Sequence, residues 1–284
     1  MEQLRFSRRG AGASLVLIHG LGSSRAAWDP VVPQLAERFD VITPDLPGFG
    51  ESEPLGPGDE PHPGRLAAAV AGLLDELHID RPHLVGNSVG GWVSLELAAL
   101  RPVSSVTLLS PAGLWPRGVP LYSLASLRIT RWASLHAAGL LSRLVAHRLG
   151  RILVLGQTHG RPTHVTPDQA RASIEAMRTA RGFDAALAAT VHRHYSAGRA
   201  LGAPVTVSFG PRDLLLLARQ SRHLEQLPPG TRTVALPGCG HVAMLDCPAA
   251  VVSLINASTA ASPAPSERKR SGGIPVHRSA TSGQ

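Results

Sequence analysis

The stretch Gly86-Asn-Ser-Val-Gly-Gly91 decides the fold, because it fits a sharp turn between a strand and a helix. Residues 83–86 predict the strand and residues 89–100 the helix. Such a turn crowds the backbone two positions on either side of its central serine, so glycine is expected at both, as found here. The turn also places the Ser88 hydroxyl at the positive end of the helix dipole. We therefore predict that Ser88 is a nucleophile.

Outward from this turn, short apolar runs alternate with helical patterns along the chain. The runs are too short for helices, so they predict strands. Further predicted strands are residues 15–18, 41–43, 106–109, 204–209 and 233–236. Further predicted helices are residues 26–39, 64–78, 214–227 and 248–257. This alternation predicts an α/β fold with a mostly parallel, doubly wound sheet covered on both faces.

Residues 114–200 interrupt the alternation after the fourth predicted strand and contain no convincing strand of their own. A helical insertion at the carboxyl edge of a parallel sheet lies where ligands bind, so we predict a helical cap. The core of the fold is then formed by residues 1–113 and 201–257. Residues 258–284 are rich in Ser, Pro, Gly and Arg, which predicts a disordered tail.

A serine hydroxyl becomes a good nucleophile when a base removes its proton, and the usual base is a histidine held by a carboxylate. His241 lies in the loop after the sixth predicted strand, and Asp213 lies just after the fifth. The chain order Ser88, Asp213, His241 predicts a catalytic triad whose members meet at one sheet edge.

Five stretches together resemble the α/β-hydrolase superfamily over about residues 12 to 257. They are His19-Gly-Leu-Gly22, Asp45-Leu-Pro-Gly-Phe-Gly-Glu-Ser52, Gly86-Asn-Ser-Val-Gly-Gly91, Gly210-Pro-Arg-Asp213 and Gly238-Cys-Gly-His241. The resemblance implies an α/β-hydrolase fold with a serine nucleophile and a helical cap. The N-terminus departs from the family pattern, since it has room for at most one strand or a short hairpin before Leu15, where two strands are usual.

The reaction also needs N–H donors for the developing oxyanion. The residue after the nucleophile, Val89, offers one. The resemblance implies that the second is the amide of Leu21, with Gly22 as the alternative. Gly22 and Trp115, which closely follows the fourth strand, are also candidates for the substrate pocket.

Other polar residues compete for these roles. By resemblance, His19 shapes its loop rather than moving protons. Asp246 is a rival acid, but it follows His241 by only five residues and is too near to orient the imidazole from the far side. Asp45 is interpreted as a turn-forming residue. His192 and His194 are expected at the surface, although they could line the pocket. No Cys/His spacing matches a metal site, so no metal and no organic cofactor are predicted.

The predicted cap has a larger net positive charge than the whole chain. The chain has a formal net charge of +8, with −5 on residues 1–113 and +9 on residues 114–200. This uneven distribution argues against a nucleic-acid binder. Arg143, His147 and Arg151 recur at helical spacing, which predicts one basic face within residues 119–157. Three interpretations stay open: a solvated face, attraction of an anionic substrate, or a loose contact with a membrane surface.

Composition sets the remaining expectations. The two cysteines predict free thiols in a reducing compartment. The first residues lack an apolar signal-peptide core, and no run is long enough to span a membrane, so a cytoplasmic protein without stable membrane insertion is expected. Leu121, Tyr122 and Trp132 of the cap, like Trp115, suggest a pocket wall, although core packing explains the first three equally well. Oligomeric state stays open.

We therefore predict a serine hydrolase that cleaves a small to medium carboxylic ester through an acyl-enzyme on Ser88. Members of the superfamily that open epoxides or displace halide have an aspartate at the position of Ser88. The serine found here therefore argues against those reactions. The alternatives are hydrolysis of a C–C bond in a ring-cleavage dienoate, or a non-catalytic ligand receptor that keeps the fold.

Overall fold

A computed structural model describes residues 3–197 and 201–261. Its sheet has seven strands in the order β1-β3-β2-β4-β5-β6-β7, and all neighbouring pairs are parallel except β1 with β3. The strands are Phe6–Arg9, Ala13–Ile18, Phe39–Pro44, His83–Asn87, Ser105–Leu109, Val205–Phe209 and Arg232–Ala235. The predicted mostly parallel sheet is confirmed, and one strand, β1, precedes the run at Leu15.

Helices cover both faces of this sheet. The helices α1 to α11 are Val32–Leu35, Pro63–Glu76, Val89–Leu100, Leu121–His136, Ala138–Leu144, Arg148–Leu155, Pro167–Thr179, Phe183–Val191, Ala218–Ser221, Ala243–Asp246 and Pro248–Ala260. The strands β4, β5 and β6 are buried at every position, because apolar side chains on either face meet a helix layer. Helix α2 buries Leu66, Val70, Leu73 and Leu74, a stripe at helical spacing.

Two predicted helices are much shorter than expected. Residues 214–227 form only α9 and a 3-10 turn at Leu224–Gln226, because the carboxylate of Asp213 accepts the amides of Leu215 and Leu216 and starts a turn there instead. Residues 26–39 form a 3-10 turn at Arg25–Trp28 and then α1. Pro30 and Pro33 lack the amide hydrogens that one continuous helix would need.

Between β5 and β6, the described residues contain five helices, α4 to α8, and no strand. The expected single basic face of Arg143, His147 and Arg151 is wrong, because α5 ends at Leu144 and α6 begins at Arg148. The Arg151 guanidinium is buried and donates to the carbonyls of Val145 and Ala146 just after α5. It thereby satisfies carbonyls that the end of α5 leaves unpaired.

Helix α11 continues to Ala260, so residues 258–260 of the expected tail are helical. The rest of that tail, from residue 262, lies outside the described residues, and the division into core and cap stays a prediction. None of the described helices has the length and apolarity that crossing a membrane requires.

Candidate active site

Ser88 sits in a strained turn at the carboxyl end of β4. Its φ is 56° and its ψ is −122°, a conformation that non-glycine residues rarely adopt. The turn is held by backbone hydrogen bonds, with Ser88 N donating to Leu109 O at 3.1 Å and Ala112 N donating to Ser88 O at 2.9 Å. A strained serine fixed at the start of a helix matches the sharp turn predicted between the strand and the helix.

The two glycines of the motif are required by close packing. A Cβ on Gly86 would lie 2.2 Å from the carbonyl oxygen of Gly90, and a Cβ on Gly90 would lie 2.2 Å from that of Ile18. Both contacts are with backbone, which cannot move aside as a flexible side chain can. The turn therefore approaches β2 and α3 more closely than any side chain allows.

Asp213 and His241 form a buried pair. Nδ1 of His241 lies 2.9 Å from Oδ2 of Asp213, and both side chains are almost fully buried. The other carboxylate oxygen, Oδ1, accepts the amides of Leu215 at 3.0 Å and Leu216 at 2.9 Å. Burial favours a raised pKa for Asp213, but the charge and hydrogen bond of His241 and these two amides outweigh it, so the pKa is lowered. The carboxylate stays ionised and can hold one tautomer of the imidazole.

The loop that carries His241 is bonded to the turn at Ser88 through Asn87. Its Nδ2 donates to the carbonyl of His241 at 2.9 Å and to that of Leu109 at 3.0 Å. Sequence reasoning missed this role, because nothing in the spacing of Asn87 and His241, 154 residues apart, points to the contact. Asn87, the second residue of the Gly86–Gly91 stretch, therefore links the turn at Ser88 to the loop after β7.

Asp246, the rival acid, has a different set of partners. Its carboxylate accepts the amides of Gly160 at 2.8 Å, Arg161 at 3.1 Å and Gly240 at 2.6 Å. These bonds join the segment after α6 to the His241 loop, and the imidazole of His241 is bonded to Asp213 instead. Asp246 thus holds the backbone of the loop that carries His241.

His19 and Asp45 shape the neighbouring loops. Nδ1 of His19 lies 2.8 Å from Gly20 O, and Nε2 accepts the Leu46 amide at 3.0 Å. Burial lowers the pKa of His19, and the ring keeps both nitrogens occupied in its neutral form. Asp45 accepts the amides of Arg25 at 2.7 Å and Glu51 at 3.0 Å. These contacts favour the structural interpretation of both residues.

Ser88 and His241 line one cavity of about 380 Å³ between the sheet edge and the cap helices. Leu21, Gly22, Val89 and Trp115 line it as well, and of these Gly22 and Trp115 are the two that the sequence suggested for the pocket. Within the part of the chain that the structure describes, the amides of Leu21, Gly22 and Val89 donate to no protein acceptor. Three free donors therefore stand beside Ser88, and the choice between Leu21 and Gly22 stays open.

The wall contributed by the cap is largely apolar. Its apolar members are Val119, Leu127, Ile129, Ala133, Leu141, Leu144, Leu153, Val154, Leu155, Ile174, Met177 and Leu187. Among the described residues, no Arg, Lys, Asp or Glu lines the cavity. Leu121, Tyr122 and Trp132 are exposed and do not line it, so the interpretation of these three as pocket wall is wrong. All three are exposed residues of α4, and helix spacing alone could not tell which side of α4 faces the cavity.

One further polar group of the cavity was missed by sequence reasoning. His159 is 4% exposed, its Nδ1 lies 2.9 Å from Oγ1 of Thr158, and its Nε2 is buried without a hydrogen-bond partner. Burial lowers the pKa of His159, with the nearby His241 acting in the same direction, so the ring is neutral. His192 and His194, by contrast, are exposed. An unpaired ring nitrogen in the cavity can hydrogen-bond a polar group of a bound molecule.

Comparisons with known proteins agree with this geometry. An uncharacterized protein of Mycobacterium tuberculosis is 29% identical over 269 residues, which span 88% of this chain and 76% of that protein. A 2-hydroxy-6-oxo-6-phenylhexa-2,4-dienoate hydrolase of Burkholderia cepacia is 36% identical over 118 residues, 39% of this chain and 41% of that enzyme. The structure of a thermophilic esterase from Thermogutta terrifontis shares the fold, with a TM-score of 0.68 and 22% identity over 89% of this chain and 92% of that one. The sequence profile of the alpha/beta hydrolase fold family matches residues 13–248, and the chain belongs to that family.

Proposed function

We propose that the protein is a serine hydrolase that cleaves an uncharged, small to medium carboxylic ester through an acyl-enzyme. One observation carries the proposal: His241, whose imidazole is bonded to Asp213, lines the same cavity as the strained Ser88. The family supports hydrolase activity, and the geometry supplies a reason for the serine mechanism.

The chemistry proceeds in two halves. In the first, Ser88 Oγ bonds to the ester carbonyl carbon while Nε2 of His241 takes the hydroxyl proton. The carbonyl electron pair moves onto oxygen, where the amides of Val89 and Leu21, or Gly22 in place of Leu21, stabilise it. The C–O bond then breaks, and the leaving alcohol takes the proton from His241.

In the second half, water attacks the acyl group on Ser88 and gives a proton to His241. The bond between Ser88 Oγ and the acyl carbon breaks, Oγ recovers the proton, and the carboxylic acid leaves. Asp213 stays ionised throughout and stabilises the imidazolium in each half. These steps require no metal or organic cofactor.

The apolar cavity supports an uncharged acyl group as substrate. A buried charge without a partner is costly, and no arginine or lysine among the described residues lines the cavity to offset a carboxylate. This weakens the idea that the basic cap selects an anionic substrate. The polar groups His159 and Gln157, which also line the cavity, can bind the carbonyl or alcohol portion of an ester.

C–C bond hydrolysis is the second candidate, favoured by the likeness to the Burkholderia cepacia dienoate hydrolase. That likeness covers 39% of the chain, and a cavity without arginine or lysine among its described lining residues does not suit a dienoate carboxylate. Activity confined to a ring-cleavage dienoate, with no ester turned over, would select this candidate.

Active-site labelling tests the proposal directly. A fluorophosphonate probe should label the protein at one site, and Ser88→Ala should abolish the labelling. A panel of p-nitrophenyl esters of increasing acyl length should then define the preferred chain. A protein that takes no label at Ser88 would be a receptor or binding module with this fold, and the hydrolase proposal would be wrong.

A further inference from the structure

The outer side of the cap exposes large apolar residues to solvent. Ile129 and Trp132 of α4 are 65% and 62% exposed, and Leu149 and Leu153 of α6 are 80% and 77% exposed. Spacings of three and four residues put each pair on one side of its helix. We call these four residues the mouth face. Contiguous exposed apolar patches on a soluble protein mark interaction sites.

The mouth face surrounds the entrance to the cavity. Ile129 and Leu153 line the cavity and are also largely exposed, so its opening lies between α4 and α6. Trp132 and Leu149 lie one helical turn away from these two residues and extend the apolar rim outward. A molecule that enters the cavity therefore crosses an apolar surface first.

The helices that carry the mouth face, with α5 between them, have positive but no negative side chains. Helices α4 to α6 contain five arginines, and the chain has no aspartate or glutamate from residue 97 to residue 167. Arg128 and Arg148 are each next in sequence to a member of the mouth face. Both are exposed, and neither forms an ion pair or hydrogen bond among the described residues. An apolar patch beside unpaired cations suits an anionic, apolar partner.

A second copy of the chain or a lipid bilayer could cover an apolar face, and the charge beside the face distinguishes between these two partners. A second copy of the chain would bring two sets of unpaired arginines together with no acidic residue between them, which is unfavourable. A bilayer rich in anionic phospholipid offers phosphate to the arginines and acyl chains to the leucines, and tryptophan favours that boundary.

We propose that the mouth face docks the protein on anionic phospholipid surfaces, so that the cavity opens toward the lipid. Docking uses exposed side chains of the cap and does not depend on Ser88, so it stands or falls separately from the hydrolase proposal. An apolar ester dissolved in the bilayer would then reach the cavity without passing through water.

Tryptophan fluorescence provides a specific readout. Of the four tryptophans in the chain, Trp132 is the exposed one, and Trp28, Trp92 and Trp115 are at most 3% exposed. Addition of vesicles of equal parts phosphatidylglycerol and phosphatidylcholine should shift the emission to shorter wavelength. Lipids brominated near the headgroup should quench it. Phosphatidylcholine vesicles alone should give a weaker response, and Ser88→Ala should behave as the wild type does.

Cosedimentation with the same vesicles measures the partition coefficient of the full chain. The double variant Arg128→Ser/Arg148→Ser should lower it about 25-fold, since each arginine near an anionic surface contributes about fivefold. Trp132→Ser and Leu149→Ser should each lower it about tenfold. Leu100→Ser and Arg171→Ser are matched controls on α3 and α7, with Leu100 and Arg171 both exposed, and should leave it unchanged.

Three results would overturn the proposal. In the first, the wild type neither pellets with anionic vesicles nor changes its emission. In the second, the mouth-face variants bind as tightly as Leu100→Ser while their melting temperatures match that of the wild type. In the third, sedimentation velocity shows a stable dimer that Trp132→Ser dissociates, which would assign the mouth face to a second copy.

Discussion

The two walls of the cavity are built in opposite ways. On the core side, Ser88, Asp213 and His241 are held by backbone hydrogen bonds and by glycine contacts that leave no freedom. On the cap side, the wall consists mainly of apolar side chains from helices α4 to α8. Directional bonds fix positions to fractions of an ångström, whereas apolar contacts tolerate changes of shape. The core wall is therefore suited to chemistry and the cap wall to selection of the substrate.

The largest expected effect lies at the core wall. Ser88→Ala should lower kcat/KM for a p-nitrophenyl ester by at least ~10⁴-fold, because the nucleophile is gone and only binding and oxyanion stabilisation remain. Ser110→Ala is the control, since Ser110 also ends a strand in a positive-φ turn but does not line the cavity. Comparable activity in both variants would remove Ser88 from the mechanism.

Asp213→Asn should lower kcat by about 10⁴-fold, because the amide can hold the imidazole in the wrong tautomer. Asp246→Asn is the matched control: it should mainly lower the melting temperature, since Asp246 binds backbone amides. Steady-state kinetics and thermal unfolding of both variants separate the roles. If Asp246→Asn lost more kcat than Asp213→Asn, Asp246 rather than Asp213 would be the residue that orients His241.

Gly90→Ala tests how rigid the core wall is. The new methyl group would meet the carbonyl oxygens of Ile18 and His19, so we expect a loss of about 3 kcal/mol or more in the free energy of unfolding. At Gly72, in α2, a Cβ meets nothing within 4 Å, and Gly72→Ala should add about 0.5–1 kcal/mol. Urea unfolding measures both. Equal effects would show that the turn can relax.

Ile174→Ala tests the cap wall. Enlarging the cavity should raise kcat/KM for a long-chain ester relative to the acetate by about tenfold, the value of one or two methylenes in an apolar pocket. Ile79→Ala removes an equally buried isoleucine outside the cavity and should lower stability without changing this ratio. If Ile174→Ala left the ratio of the two kcat/KM values unchanged, the cap wall would not select the acyl chain length.

The smallest effect is on the pH dependence of stability. Burial lowers the pKa of His19 and of His159, so the unfolded chain binds protons more readily than the folded one below about pH 6.5. The free energy of unfolding should be constant above that pH and fall below it, by up to about 1.4 kcal/mol per pH unit for each histidine. His159→Gln should reduce this slope, measured by urea unfolding between pH 5 and 8. Exposed His192→Gln should not.

The parts of the structure that could be predicted are those that local sequence determines. Parallel strands with helices on both faces are continuous apolar runs in the sequence, so the sheet was predictable. The turn at Ser88 was predictable because it needs small residues at fixed positions. The side chain of Asp213, which starts a turn where a helix was expected, depends on a contact pattern that helix propensity does not record.

The missed features of the site depend on contacts between distant segments. Asn87 bonds the His241 loop across 154 residues, and the unpaired state of His159 Nε2 is a property of what surrounds it. Likewise, the spacing of Trp132 puts it on a helix face but does not say whether that face points toward the cavity or toward solvent. Such facts require the packed structure.

The carboxylate of Asp246 has a consequence for the motion of the cap. It binds Gly160 and Arg161 in the segment after α6 and Gly240 beside His241, and Gly160 and Gly240 pack backbone to backbone. If the cap swung outward at α6, it would pull the histidine away from the serine. Opening at that end would thus separate His241 from Ser88 while the cavity is exposed to water, and closing would bring the two residues together again. Access with the histidine in place would require movement at the α4 side of the entrance.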